Sequence, residues 1–196
     1  SFLDTWYFKV DAPTIAALSE SGVISSGGHQ AMDKGFNSAQ KRTQWSAIKK
    51  LTTVVDGKRQ FIDSPPLVMR LDLGPGVREE IEKSFDRYKE TLLSDRRLLL
   101  NRYKIVDFGH KVVGVGSVGL LAYIVLLQGR DEDDLLVIQV KEAVPSVLEP
   151  WVTESLSDTP GERVINGQRL IQAASDAFLG WLDGAGGRSF YLRQLR

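Results

Sequence analysis

Gly114-Val115-Gly116-Ser117-Val118-Gly119 runs directly into Leu120-Leu121-Ala122-Tyr123-Ile124-Val125-Leu126-Leu127, and the reading of that junction decides the fold. A G-x-G-x-x-G is compatible with three arrangements: a tight turn, a dinucleotide fold in which a helix follows the glycines, or a kinase-type sheet in which a second strand follows and a lysine arrives on the third. Glycines suit the last two because backbone amides can approach phosphate oxygens where a Cβ would collide. The run from Leu120 to Leu127 has no polar side before Gln128. A helix packed on a sheet keeps a wet side, whereas a central strand is covered on both faces. The spacing therefore predicts a strand, with the glycine-rich segment as the connection leading into it.

Working outward, Gly129-Arg130-Asp131-Glu132-Asp133-Asp134 is a charged turn, and Leu135 to Val140 reads as a further strand with Lys141 near its end. Pro160-Gly161 opens an amphipathic helix over Glu162 to Ala174. Phe178 to Leu182 and Ser189 to Leu195 form a hairpin across Asp183-Gly184-Ala185-Gly186-Gly187. With Tyr103 to Val113 as the first strand, residues 103–196 give the order β-β-β-α-β-β. The expectation is a five-stranded antiparallel sheet plus one helix, resembling a protein-kinase small lobe.

Residues 1–102 read as mostly helical. Asp11-Ala12-Pro13 opens a helix that runs to Ser21-Gly22, and Ala31 to Leu51 carries Trp45, Ile48 and Leu51 at helical spacing. Asp56-Gly57 between two apolar runs predicts a hairpin near 52–62, and Pro65-Pro66 then breaks the chain. Pro75 opens a helix bearing Ile81, Phe85, Tyr88 and Leu92, and a short helix follows at Asp95 to Arg102. The fold class is α+β.

Bulk composition narrows the function. The 196 residues are 42% hydrophobic and 26% charged, enough for a packed core. Lys plus Arg equals Asp plus Glu at 25 each, which argues against nucleic acid or a membrane surface as partner. There are no cysteines and only His29 and His110, so neither a disulfide framework nor a thiolate or histidine metal site is expected. No apolar stretch reaches the roughly 18 residues of a membrane span. The chain begins without a methionine or a signal sequence and ends inside a strand, which suggests a piece of a longer cytoplasmic protein.

Chemistry concentrates around Lys141. A strand-borne ammonium that follows a glycine loop matches the kinase arrangement, in which such a lysine grips the α and β phosphates; an exposed edge-strand lysine is the plainer reading. Glu162 could pair with it from the helix, although a first-turn glutamate equally serves the helix dipole. Glu154 is an alternative partner. Asp107-Phe108-Gly109 spells the magnesium-binding triplet of kinases but lies on the first strand, on the wrong side of the glycines for a metal role. His110 reads as a strand residue rather than a general base. Glu142 keeps a dinucleotide reading alive, as an acid that could reach a ribose.

Long strings of this sequence resemble the bacterial family designated domain of unknown function 2252. They include Leu3-Asp4-Thr5-Trp6-Tyr7, Leu51-Thr52-Thr53-Val54-Val55-Asp56-Gly57, the segment Lys111 to Gly119, Gln128 to Asp134, Gln139-Val140-Lys141-Glu142-Ala143, Gly167-Gln168-Arg169-Leu170 and Tyr191 to Arg196. The resemblance implies a distant likeness to aminoglycoside phosphotransferases, with the catalytic G-D-x-H-x-x-N and metal-binding segments placed before Ser1, as in a circularly permuted kinase. It thus implies an ATP-binding, bacterial phosphotransferase lobe, with ATP and Mg2+ in the full-length protein. Gly114, Gly116, Ser117 and Gly119 would cover the phosphates and Lys141 would contact them, with Glu162 its partner. This chain would hold no catalytic and no metal residue. The remainder of its own chain and an unknown phosphate acceptor complete the expected partners, and the chain alone is expected not to transfer phosphate.

Two departures bear on this. Leu120-Leu121-Ala122 stands where the family tends to have Thr-Arg-Cys, and Asn166 stands where it tends to have glutamate. Asn166 favours an alternative from another class, a non-catalytic interaction module built on a relic lobe. A dinucleotide-binding oxidoreductase fragment is the third reading, and it requires a helix at residues 120–128.

Overall fold

The computed structural model describes residues 44–112, 114, 118–152, 157–172 and 175–195. The helices expected before residue 44 lie outside this range. Gln44–Leu51 forms helix α1, and the hairpin follows as β1 (Thr52–Val55) and β2 (Lys58–Phe61). Its turn places Asp56 at φ 50° and Gly57 at φ 72°, the left-handed pair that makes Asp-Gly a hairpin signal. Then come β3 (Val68–Arg70), α2 (Pro75–Glu90), α3 (Ser94–Leu100), β4 (Lys104–Lys111), β5 (Ala122–Gln128), β6 (Leu135–Ala143), α4 (Pro160–Ile171), β7 (Gly180–Asp183) and β8 (Ser189–Gln194).

The apolar run after the glycines is a strand. β5 pairs antiparallel with β6 from Ala122↔Lys141 to Gln128↔Leu135, around the charged turn. The turn closes because Asp134 accepts hydrogen bonds from the Tyr103 hydroxyl (2.7 Å) and from the Arg130 amide (2.9 Å). All five expected strands lie in one antiparallel sheet, and β3 adds a sixth at its edge, giving the order β3-β4-β5-β6-β8-β7. The addition comes from the free edge of β4. Val68 and Arg70 register with Lys111 and Gly109, and the Arg70 amide is held by the Asp63 carboxylate.

Alternation along the strands sorts the sheet into two faces. On one face lie Val125, Leu127, Leu136, Ile138, Val140 and Leu192, covered by Phe85 and Tyr88 of α2 and by Leu100 of α3. The helical stretch before residue 103 thus shares a core with the sheet. Tyr88 is fully buried and its hydroxyl donates to the Phe178 carbonyl at 2.7 Å. On the other face, Ile124, Leu126, Leu135 and Val137 pack against Ile48 of α1 and Phe61 of the hairpin. β5 and the first half of β6 are covered on both sides, which is why the sequence shows no polar face before Gln139 of β6.

Candidate functional site

Lys141 pairs with Ala122 on one side and Tyr191 on the other. Its side chain therefore projects from the same face as Ala122, Ile124, Gln139, Tyr191 and Arg193, the face that carries α1 and the hairpin at its far end. α4 covers the near end. Gly161 at its start donates its amide to the Ser189 hydroxyl at 2.9 Å, and Ser189 shares the face of Tyr191 and Arg193. A Cβ on Gly161 would lie 2.5 Å from the Phe190 carbonyl oxygen, so glycine is what lets this helix seat on β8. Between the two helical covers the Lys141 face holds a half-buried lysine and an exposed arginine on neighbouring strands, since Arg193 registers with Gln139, two residues from Lys141.

Among the described residues the charges at the heart of that patch are both positive. Burial, and then the Arg193 guanidinium, lower the Lys141 pKa below the ordinary lysine value. Burial raises the Tyr191 phenol, partly offset by Arg193. Among the described residues no carboxylate lies within ion-pair distance of Lys141 or Arg193. Like charges held on adjacent strands destabilise one another, and an anion bound between them would relieve the repulsion through charge-assisted hydrogen bonds.

The glycine-rich connection joins β4 to β5 at the edge of this patch. Gly114 and Gly119 are exposed, and Gly119 takes φ 84°, a conformation open to glycine at no steric cost. Gly116 and Ser117 lie outside the described residues, as does Glu154.

The remaining sequence candidates fall elsewhere. The Glu162 carboxylate turns back to accept the Asp158 amide at 2.9 Å while its own amide donates to Thr159 Oγ1 at 3.4 Å. Thr159 caps the helix and Glu162 reaches back one residue beyond it, which directs Glu162 to the helix start. Asn166 Nδ2 donates to Ser157 Oγ at 3.1 Å, tying α4 to the segment before it. Glu142 accepts the Leu121 amide at 2.9 Å and projects from the opposite face to Lys141. Asp107 is buried on the lysine face, where it accepts the Phe61 amide at 2.7 Å and the Arg70 Nε at 3.0 Å. Its oxygens therefore bind the hairpin and β3 to the sheet. His110 packs edge-on to Tyr123, ring centres 5.7 Å apart.

Arg193 was missed in sequence. Its proximity to Lys141 arises from the β6–β8 pairing, a contact made across about fifty residues of chain that no local pattern reports.

A protein-family model describing an uncharacterized protein conserved in bacteria matches residues 1–196. The chain belongs to the DUF2252 family. No curated protein and no solved structure matches this DUF2252 chain. Among its described residues, no helix is long and apolar enough to cross a membrane, and no three His, Asp or Glu side chains are grouped to hold a metal ion.

Proposed function

We propose that this chain binds a nucleoside triphosphate as the small lobe of a kinase-like phosphotransferase. One observation carries the reading: β4, β5, β6, β8 and β7 lie in that order with α4 between β6 and β7 in sequence, and Lys141 sits on the third strand, across from the residue where the glycine-rich connection ends. In protein kinases a glycine-rich loop covers the phosphates and a third-strand lysine contacts them. The Lys141–Arg193 patch, with no carboxylate in ion-pair distance among the described residues, supports an anionic ligand there. The strand at Ala122–Gln128 weighs against the dinucleotide reading, which needs a helix at that point.

ATP would supply the transferable phosphoryl group, and Lys141 with the amides of the glycine-rich connection would orient its phosphates. Magnesium fits less well. The described residues present no acidic cluster on the lysine face, and Asp107 is committed to Phe61 and Arg70. The second reading, a non-catalytic interaction module, draws on Glu162 and Asn166, both engaged in local hydrogen bonds at the start of α4 and its approach.

Calorimetry of ATP binding to the full-length protein and its Lys141→Met variant tests the proposal. Loss of one charge-assisted contact should weaken affinity by about tenfold to a hundredfold. Equal affinities would leave the glycines as a turn and favour the interaction module.

A further inference from the structure

A cavity of about 350 Å³ lies between α2 and the sheet face opposite Lys141. Its walls are almost wholly apolar, with Val77 and Ile81 from α2 facing Phe108, Val125, Val140 and Leu192 of the sheet. It opens to solvent on one side, a cleft rather than a sealed void, and its apolar walls favour an apolar occupant that displaces water from them. At roughly 30 Å³ per water-sized group, the space suits a ligand of about ten to twelve heavy atoms.

A cation stands beside the wall. The Arg78 guanidinium stands over the Phe108 ring, 5.7 Å from its centre, and Phe108 is part of the cavity wall. Arg78 is 42% exposed, and its ion pair with Glu82 is a 3.8 Å contact between neighbours on one helix, too long for a hydrogen bond. Among the described residues it donates no hydrogen bond to a carboxylate, so a ligand carboxylate that displaces Glu82 could be taken bidentately.

We propose that this cavity binds a medium-chain monocarboxylate, an unbranched acid of about eight to ten carbons, with its tail between α2 and the sheet and its carboxylate on Arg78. The occupant follows from two features together: the volume sets the chain length, and the guanidinium stacked on the wall residue Phe108 sets the sign of the head group. The proposal is independent of nucleotide binding, which uses the other face.

Calorimetry with hexanoate, octanoate, decanoate and 1-octanol, on the intact protein and on Arg78→Gln and Val77→Trp, tests this. Affinity should rise roughly fourfold per methylene up to decanoate, as burial of each methylene group requires. Arg78→Gln should weaken octanoate about tenfold while leaving octanol unchanged, and Val77→Trp should weaken both by closing the mouth. Val77 is 55% exposed, so the tryptophan need not enter the core. If that variant fails to fold, methyl NMR of the wild type takes its place: octanoate should shift Val125, Val140 and Leu192 and leave Ile124 and Val137, on the other face, in place. No saturable binding of octanoate or decanoate, octanoate binding insensitive to Arg78→Gln, or shifts on the wrong face would each overturn the proposal.

Discussion

Replacing Asp107 by alanine should unfold the protein more easily without touching any ligand. The carboxylate is 2% exposed and holds two partners that no other group in the structure replaces: the buried Phe61 amide at 2.7 Å and Arg70 Nε at 3.0 Å. Leaving a buried amide without an acceptor costs about 1–3 kcal/mol. Arg70 is 42% exposed, so water screens its part of the interaction and losing it adds about 1 kcal/mol at most. The sum, about 1–4 kcal/mol, corresponds to a fall in Tm of roughly 2–16 °C for a chain of this length. Asp107→Asn keeps one acceptor oxygen and should lose about half as much. Urea denaturation followed by tryptophan fluorescence would measure both. A change below about 1 kcal/mol for Asp107→Ala would refute the structural role. So would a thermal shift on adding magnesium that the wild type shows and the variant lacks, since that is the signature of a metal ligand.

Other predictions follow from single contacts. Gly161→Ala drives a methyl group against the Phe190 carbonyl, and chemical denaturation should show a loss of about 1–3 kcal/mol; a neutral result would mean α4 can shift. Tyr88→Phe leaves the buried Phe178 carbonyl unpaired and should cost about 1–2 kcal/mol by the same method. Burial, with its hydrogen bond to Asp134, pushes the Tyr103 phenol from its ordinary value of 10.0 up to about 12. The folded state thus favours the neutral phenol, so this contribution to stability is complete below pH 10 and is lost as pH rises towards about 12. Tyr103→Phe should flatten that alkaline decline in a Tm-against-pH series, and an unchanged decline would rule the phenol out as its source.

Much of the sheet was legible because local and global requirements agree there. The runs that became β5 and β6 are apolar on both faces, and the acid-rich turn between them carries its own hydrogen-bond acceptors in Asp131 and Asp134. β3 was not legible. Three residues between Pro65-Pro66 and Gly74 have no room for a periodicity, and their strand exists only because β4 offers a free edge. The site divides along the same line. Lys141 could be found from its place at the end of an apolar run, whereas Arg193 needed the register of β8. Glu162 fitted both a pairing role and a helix-dipole role in sequence, and Thr159 three residues before it, an N-cap hydroxyl, was the signal for a place at the helix start.

The covering of the sheet on both faces also ranks its parts by how readily they open. Amides of β5 and β6 are paired on both sides and shielded above and below, so their exchange with solvent deuterium should require global unfolding. The β1–β2 hairpin has no second sheet partner among the described strands and rests on Ile48, Phe61 and the Asp107 carboxylate. It can lift away while the rest stays folded, and its amides should exchange first. The protein therefore consists of a durable central slab and a flap held down by the buried Phe61 ring and by one hydrogen bond to the Asp107 carboxylate.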